Sequence, residues 1–210
     1  LVDAAQKYQI IVRLKGGDPM LFGRADEEIT TLKQAGIEVE IVPGITAALA
    51  GAASIQQSLT LRGASRSVAF VTLAQSAENK SPDKVGSRPT NSSLTSPIAN
   101  PIADTMVYYM GRKDATKIAK QLIGAKANYT AETPTHILEA VSTSKERLWS
   151  STLGKLADGQ ADDWFDANSP ALILIGQAFC MINCNAQDLN RGLCTKINDG
   201  LQDSQIFANG

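Results

Sequence analysis

Three glycine-containing loops hold the residues best suited to chemistry: Gly16-Gly17-Asp18-Pro19, Pro43-Gly44-Ile45-Thr46-Ala47 and Met110-Gly111. Glycine lets a ligand approach the backbone closely and adopts dihedrals that other residues avoid. Asp18 offers an acceptor for an ammonium or hydroxyl group, and Thr46 a hydroxyl. If Thr46 opens a helix, the first backbone amides of that helix add further donors. The set suits a small polar molecule carrying both donors and acceptors. Its spacing matches neither the G-x-G-x-x-G dinucleotide fingerprint nor the phosphate-binding P-loop. Taken singly, each loop also reads as a plain turn, and Met110 as a core side chain.

Metal and thiol chemistry have weaker support. Cys180, Cys184 and Cys194 crowd the end of the chain and are odd in number, so no disulfide framework is implied. The single histidine, His136, lies far from them, and a zinc site needs more ligands at closer spacing. Unpaired thiols in a reducing cytoplasm are the reading that follows.

The loops need elements to position them. Ile10 to Leu14 is a short β-branched apolar run ending at Gly16-Gly17 and predicts a buried strand. Asp26 to Ala35 predicts a helix, with acidic residues in its first turn and Gly36 as its stop. Val39 to Val42 predicts a second strand, closed by Pro43-Gly44. Thr46 is then the cap of an alanine-rich helix through Ala53, whose small residues imply close packing on a neighbour. Further strands are predicted over Val68–Thr72, Thr105–Met110, His136–Val141 and Ala171–Ile175. An amphipathic helix capped by Asp114 carries Ala115, Ile118, Ala119, Leu122 and Ile123 on one face. The polar stretch from Gln75 to Asp104 has the composition of a long loop. Strands alternating with helices predict an α/β class.

The boundary between two lobes is expected near Gly63 to Arg66, with residues 1–63 in the first lobe, 64–179 in the second and 180–210 as a tail. The first lobe is short for an independent α/β unit. With Leu1 rather than Met at its start, the chain is expected to lack an upstream part. Twenty Lys+Arg against 21 Asp+Glu in 210 residues leave a net charge of −1. That balance gives no general attraction to nucleic acid or to an anionic membrane. No apolar run reaches the roughly 18 residues of a membrane span, and no signal peptide is evident. A cytoplasmic location is expected.

Five strings, in order, are VRLKGGDPMLFGRADEE (12–28), VEIVPGITAALAGAA (39–53), SLTLRGASRSVAFVT (58–72), TMVYYMG (105–111) and SPALILIGQA (169–178). Together they closely resemble the uroporphyrinogen-III C-methyltransferases of the tetrapyrrole methylase family, over about residues 1–179. The resemblance implies two α/β lobes with a cofactor cleft between them, the first lobe incomplete here, and usually a homodimer. It implies S-adenosylmethionine as cofactor and uroporphyrinogen III as substrate, methylated at C2 and C7 to give precorrin-2 for sirohaem and cobalamin synthesis. The family's cofactor contacts carry over to Gly16, Gly17, Asp18, Leu21, Thr46, Ala47, Met110 and Val141. Arg24 and Arg62 are candidates for substrate carboxylates, or else for surface ion pairs.

The chain departs from the pattern in several places. Val141 stands where relatives often have Gly or Ala, Thr60-Leu61-Arg62 replaces Thr-His-Arg, and Leu73-Ala74-Gln75 replaces Thr-Gly-His. The family's opening Gly-x-Gly-Pro-Gly-Asp loop and the Asp and Lys usually given acid/base roles are not in this sequence, so no catalytic acid or base is assigned. Two alternatives stand beside methylation of uroporphyrinogen III. One is a truncated, non-catalytic cofactor-binding fragment, and the other a methylase of the same fold with a different acceptor.

Overall fold

The structure is a computed structural model, and it describes residues 1–73, 103–125 and 129–180. Its centre is a five-stranded mixed sheet of β1 (Val68–Thr72), β2 (Thr105–Tyr109), β3 (Pro134–Glu139), β4 (Arg147–Thr152) and β5 (Ala171–Gly176). The spatial order is β1-β2-β5-β3-β4. β1 lies parallel to β2, and the other neighbours are antiparallel. Before β1 come three helices, α1 (Val2–Ala5), α2 (Ala25–Gln34) and α3 (Ala47–Ser54). The other α-helices among the described residues are α4 (Ala115–Gly124) and α5 (Leu153–Ala157).

The strands are apolar on both sides because helices cover both faces. Alternation sends Met106, Tyr108, Ile137, Ile173 and Ile175 to one face, under α4 and α5. It sends Val107, Leu138, Leu172 and Leu174 to the other, under α3 and Phe179. The α4 stripe falls as its periodicity predicts, with Ala115, Ile118, Ala119 and Leu122 buried. Alanine and glycine let α3 sit close to the sheet. A Cβ at Gly51 would stand 3.1 Å from Leu138 Cδ1 and 3.8 Å from Val141 Cγ2. Thus the helix assigned by sequence to the first lobe packs on the sheet of the second.

Two predicted strands do not form. Residues 10–14 and 39–42 are irregular and pair with no strand among the described residues. β-Branched runs become strands when a neighbour takes their hydrogen bonds and a layer covers their side chains. Neither is provided here: Ile10, Val12 and Leu14 are 84%, 75% and 81% exposed. Indeed no side chain before Thr46 is buried. The helix between them does form, as α2, and stops before Gly36, whose φ is +72°.

Smaller differences concern caps and ends. Thr46 and Asp114 stand at the N-cap positions of α3 and α4, but neither side chain caps its own helix. A 3-10 turn, Arg112–Asp114, precedes α4. The strand expected over His136–Val141 is β3, which ends at Glu139 and leaves Val141 in the following turn. β4 and α5 were not predicted from the sequence. Polar Ser150, Ser151 and Thr152 hide the β4 alternation, and α5 is only five residues long. Residues 75–102, most of the expected long loop, lie outside the described residues, as do Cys184, Cys194 and almost all of the expected tail. Asp104, at the re-entry, accepts hydrogen bonds from the Arg66 and Ser67 amides at 2.8 and 3.1 Å. Those bonds hold its carboxyl below the usual carboxylate range.

Candidate functional site

β1, β2 and β3 point the same way, because β1 is parallel to β2 while β2 and β3 are both antiparallel to β5. Their carboxyl ends, Thr72, Tyr109 and Glu139, therefore share one edge of the sheet. In open α/β sheets ligands bind outside that edge. The start of α3 and two of the glycine loops meet there.

The two loops are joined by the Asp18 carboxylate. Asp18 Oδ1 accepts the Met20 amide at 2.8 Å, and its Oδ2 accepts the Gly44 amide at 3.1 Å. Gly17 takes φ +74°, and a Cβ placed on it would lie 3.6–3.7 Å from Ile45 O, Thr46 Cα and Ala47 N. Gly44 is tighter still, since its Cβ would fall 2.3 Å from Gly17 O. Glycine at 44 is thus a steric requirement of the contact. A Cβ on Gly16 would meet nothing within 4 Å, so its backbone faces open space. An ionised carboxylate can accept about four hydrogen bonds, so two backbone donors leave Asp18 capacity for a ligand donor.

The second loop leads into α3 through Thr46, buried at 9% exposure. Thr46 Oγ1 lies 2.7 Å from the Tyr109 hydroxyl, which also accepts the Ala48 amide at 3.1 Å. Tyr109 closes β2, and the edges of Phe22 and Phe70 flank its ring at centroid distances of 5.0 and 6.1 Å. The Ala47 amide has no acceptor among the described residues. Met110 follows with φ +55° and is 56% exposed. Leu21 is half-buried, its amide donating to Asp18 O at 3.3 Å.

Val141 comes up beside α3 from the end of β3. Its neighbours Ala140 and Ser142 both have positive φ, 50° and 64°, a conformation that costs non-glycine residues about 1–3 kcal/mol. A buried anchor holds this turn. Glu139 is fully buried and takes the Asp166 amide at 2.9 Å and the Arg147 guanidinium. Arg147 stacks 4.5 Å above the Trp164 ring.

The arginine candidates stand apart from this cluster. Arg24 pairs with Glu27 at 2.6 Å and holds that carboxyl below its usual range. The pairing realises the surface reading of Arg24 in this structure. Arg62 is exposed in the turn closed by the Leu61–Ser65 bridge. Lys15 bonds Gly23 O and Glu28, joining the first glycine loop to α2 and lowering the Glu28 pKa. A hollow of about 480 Å³ lies elsewhere, between α3 and β1, lined by Leu49, Gln57, Val68 and Phe70 among others.

The structure therefore gathers Gly17, Asp18, Thr46 and Ala47 at the start of α3, with Gly16 adjoining, Met110 just past the end of β2, and Val141 beside Gly51 further along the helix. Sequence reasoning singled out Gly44 within its loop but missed Tyr109 and Glu139 as parts of the arrangement. Tyr109 could have been found from strand alternation: with Tyr108 in the core under α4, its neighbour must face α3.

The model of the family described as Tetrapyrrole (Corrin/Porphyrin) Methylases matches residues 1–157. A siroheme synthase of Stutzerimonas stutzeri is 38% identical over 177 residues, covering 84% of this chain and 35% of that protein. A uroporphyrinogen-III C-methyltransferase of Synechocystis is 36% identical, covering 84% of this chain and 62% of that protein. This chain thus spans about a third of the first relative and under two thirds of the second. Among solved structures, the uroporphyrin-III C-methyl transferase of Thermus thermophilus complexed with S-adenyl homocysteine is similar at TM-score 0.65 and 31% identity. That likeness covers 84% of this chain and 70% of the other.

Proposed function

This chain belongs to the tetrapyrrole methylase family, and on that premise we propose that it forms much of an S-adenosylmethionine-dependent C-methyltransferase acting on uroporphyrinogen III. The observation that carries the reading is the pair of loops locked by Asp18 at the carboxyl edge of the sheet, beside Thr46 and Met110. The donors and acceptors there fit the cofactor. Asp18 accepts, as the cofactor's ammonium and ribose hydroxyls require, while the Ala47 amide and the Thr46 hydroxyl donate to its oxygens or ring nitrogens.

When bound, S-adenosylmethionine supplies a methyl group on a cationic sulfur, open to in-line attack by an electron-rich pyrrole carbon. The chain's own part is to bind and align. Gly16 and Gly17 leave backbone exposed for close approach, and the Gly17–Gly44 contact fixes the distance between the loops. Met110, with positive φ, follows β2, and Val141, between two positive-φ residues, follows β3. Alignment of this kind supplies much of the acceleration in a two-substrate displacement. Substrate carboxylates suit arginine. Arg62 is exposed to meet one, and Arg24 would have to exchange Glu27 for one.

We assign residues 1–63 to the first lobe, 64–179 to the second and 180–210 to a tail, with two copies in the working protein. Titration with S-adenosylhomocysteine tests the cofactor reading. Saturable one-to-one binding is expected, and absence of binding to folded protein would overturn it. Methyl transfer to uroporphyrinogen III by the full-length protein tests the substrate. Binding with no transfer to this acceptor would leave the fold and cofactor and reject the substrate. Nothing among the described helices is long and apolar enough to cross a membrane.

A further inference from the structure

We propose that Tyr109 is a positioning residue: its hydroxyl takes over the capping of α3 and so releases the Thr46 hydroxyl to donate to the bound ligand. The inference rests on reading the cleft as the S-adenosylmethionine site. A threonine at an N-cap ordinarily turns its oxygen onto an amide of the first helical turn. Thr46 holds that place and does not do so. The Ala48 amide, which Thr46 would serve, donates instead to the Tyr109 oxygen at 3.1 Å.

The phenol has one proton, and the acceptor within its reach among the described residues is Thr46 Oγ1, at 2.7 Å. Either hydroxyl can donate across this contact, which leaves one hydroxyl proton over; in the proposed arrangement Tyr109 donates to Thr46. Thr46 then keeps its own proton, for which no acceptor stands among the described residues, although the side chain is almost wholly buried. The unpartnered Ala47 amide is adjacent. Two neighbouring donors are thus prepared for an acceptor group on the ligand. Phe22 and Phe70 hold the phenol ring from its sides. On this proposal the chain runs from Ala48 N–H to Tyr109 to Thr46 to ligand.

Calorimetric titration with S-adenosylhomocysteine would compare the wild type with Tyr109→Phe, Thr46→Val, the double variant and Thr46→Ser. Each of the first two variants is expected to bind about tenfold more weakly. The double variant should lose no more than Thr46→Val alone, because Tyr109 acts through Thr46. In Tyr109→Phe, Thr46 can return to ordinary capping, so the melting temperature should hold while affinity falls. A purely structural tyrosine would show the reverse. Thr46→Ser retains the donor and should bind as the wild type does.

Losses that multiply in the double variant, or full affinity in Tyr109→Phe, would overturn the inference. If Tyr109→Phe does not fold, the threonine pair decides: equal affinity of Thr46→Val and Thr46→Ser rejects the proposal. A wild type that binds no S-adenosylhomocysteine rejects the cofactor reading as well. A wild type that binds, with the pattern above absent, rejects this inference alone.

Discussion

Asp18 shows how one side chain can serve both architecture and binding. The resemblance marked it as a ligand contact, and its residue type as an acceptor. That its two oxygens would each take a backbone amide, one of them 26 residues away, was not legible, because that depends on where the second loop lands. Asp18→Ala should weaken S-adenosylhomocysteine binding by about 1–3 kcal/mol, the usual cost of losing a partner to a charged group. Titration of the folded variant checks it, and unchanged affinity would remove Asp18 from the site. His136 gives a second prediction at this scale. It is 1% exposed, its Nδ1 lies 2.9 Å from Ser150 Oγ, and its Nε2 faces Phe179 O at 3.4 Å. Carbonyl oxygen only accepts, so Nε2 carries a proton, and burial favours the neutral form of the ring. Burial pushes its pKa below the ordinary 6.5, with the Phe179 contact opposing. In the unfolded chain the ring takes a proton as pH falls through about 6.5, while in the folded chain it does not. Stability should therefore be complete above that pH and fall below it, by at most about 1.4 kcal/mol per unit, until the lower folded pKa is reached. His136 is the chain's only histidine, and the lowered carboxyls begin to matter only near 4.5 and below. Urea denaturation between pH 7.5 and 5 should show the slope, and His136→Gln should abolish it. A slope that survives the substitution would assign it to another group.

Among the elements, legibility followed pattern more than burial: α2 was read from its acidic first turn and Gly36 with no buried residue, while α5, with Leu153 and Leu156 buried, was not read. β1, β2, β3, β5, α3 and α4 were all readable, because their apolar periodicity answers to layers that exist on both sides of the sheet. Ile10 to Leu14 and Val39 to Val42 have the same composition but no layer, and they remain irregular. Periodicity reports what a segment can bury, whereas strand formation also needs a partner edge. The two glycine loops give a paired test. A Cβ at Gly44 would overlap the Gly17 carbonyl, a backbone atom that cannot turn aside, while Gly16 has open space. Gly44→Ala should force the loops apart and cost about 1–3 kcal/mol of binding, with a smaller change in global stability, since neither loop is part of the core. Gly16→Ala should leave the melting temperature unchanged. Any loss of S-adenosylhomocysteine affinity in that variant then reports a ligand atom in the space the methyl enters. Equal binding by Gly44→Ala and wild type would mean that the loops need not touch for the site to work.

Across the whole molecule the decisive fact is an imbalance. Everything before Thr46 lacks a buried side chain, yet this stretch supplies Gly16, Gly17 and Asp18 and carries exposed Tyr8, Ile10, Val12, Leu14 and Val42. Among the described residues, the buried core is built on the sheet with α3, α4 and α5. Half of the binding cluster therefore stands on weakly held chain and half on the core. Free energies of local opening follow buried contacts, so the two halves should exchange amide hydrogens in different regimes. Without ligand, residues 10–14 and 39–45 should exchange within the dead time of a manual experiment, and β2, β3 and β5 only by global unfolding. A ligand spanning both halves must order the first part and so lose some affinity to that ordering. Saturating S-adenosylhomocysteine should then slow exchange at residues 16–18 and 44–47, with a smaller effect on the sheet. The same experiment on Asp18→Ala should protect 44–47 less, because the carboxylate that couples the two loops is gone. Uniform protection over the sheet alone would place the ligand on the core and away from the glycine loops. Protection confined to 16–18 would mean that α3 takes no part, and Thr46 would leave the site with it.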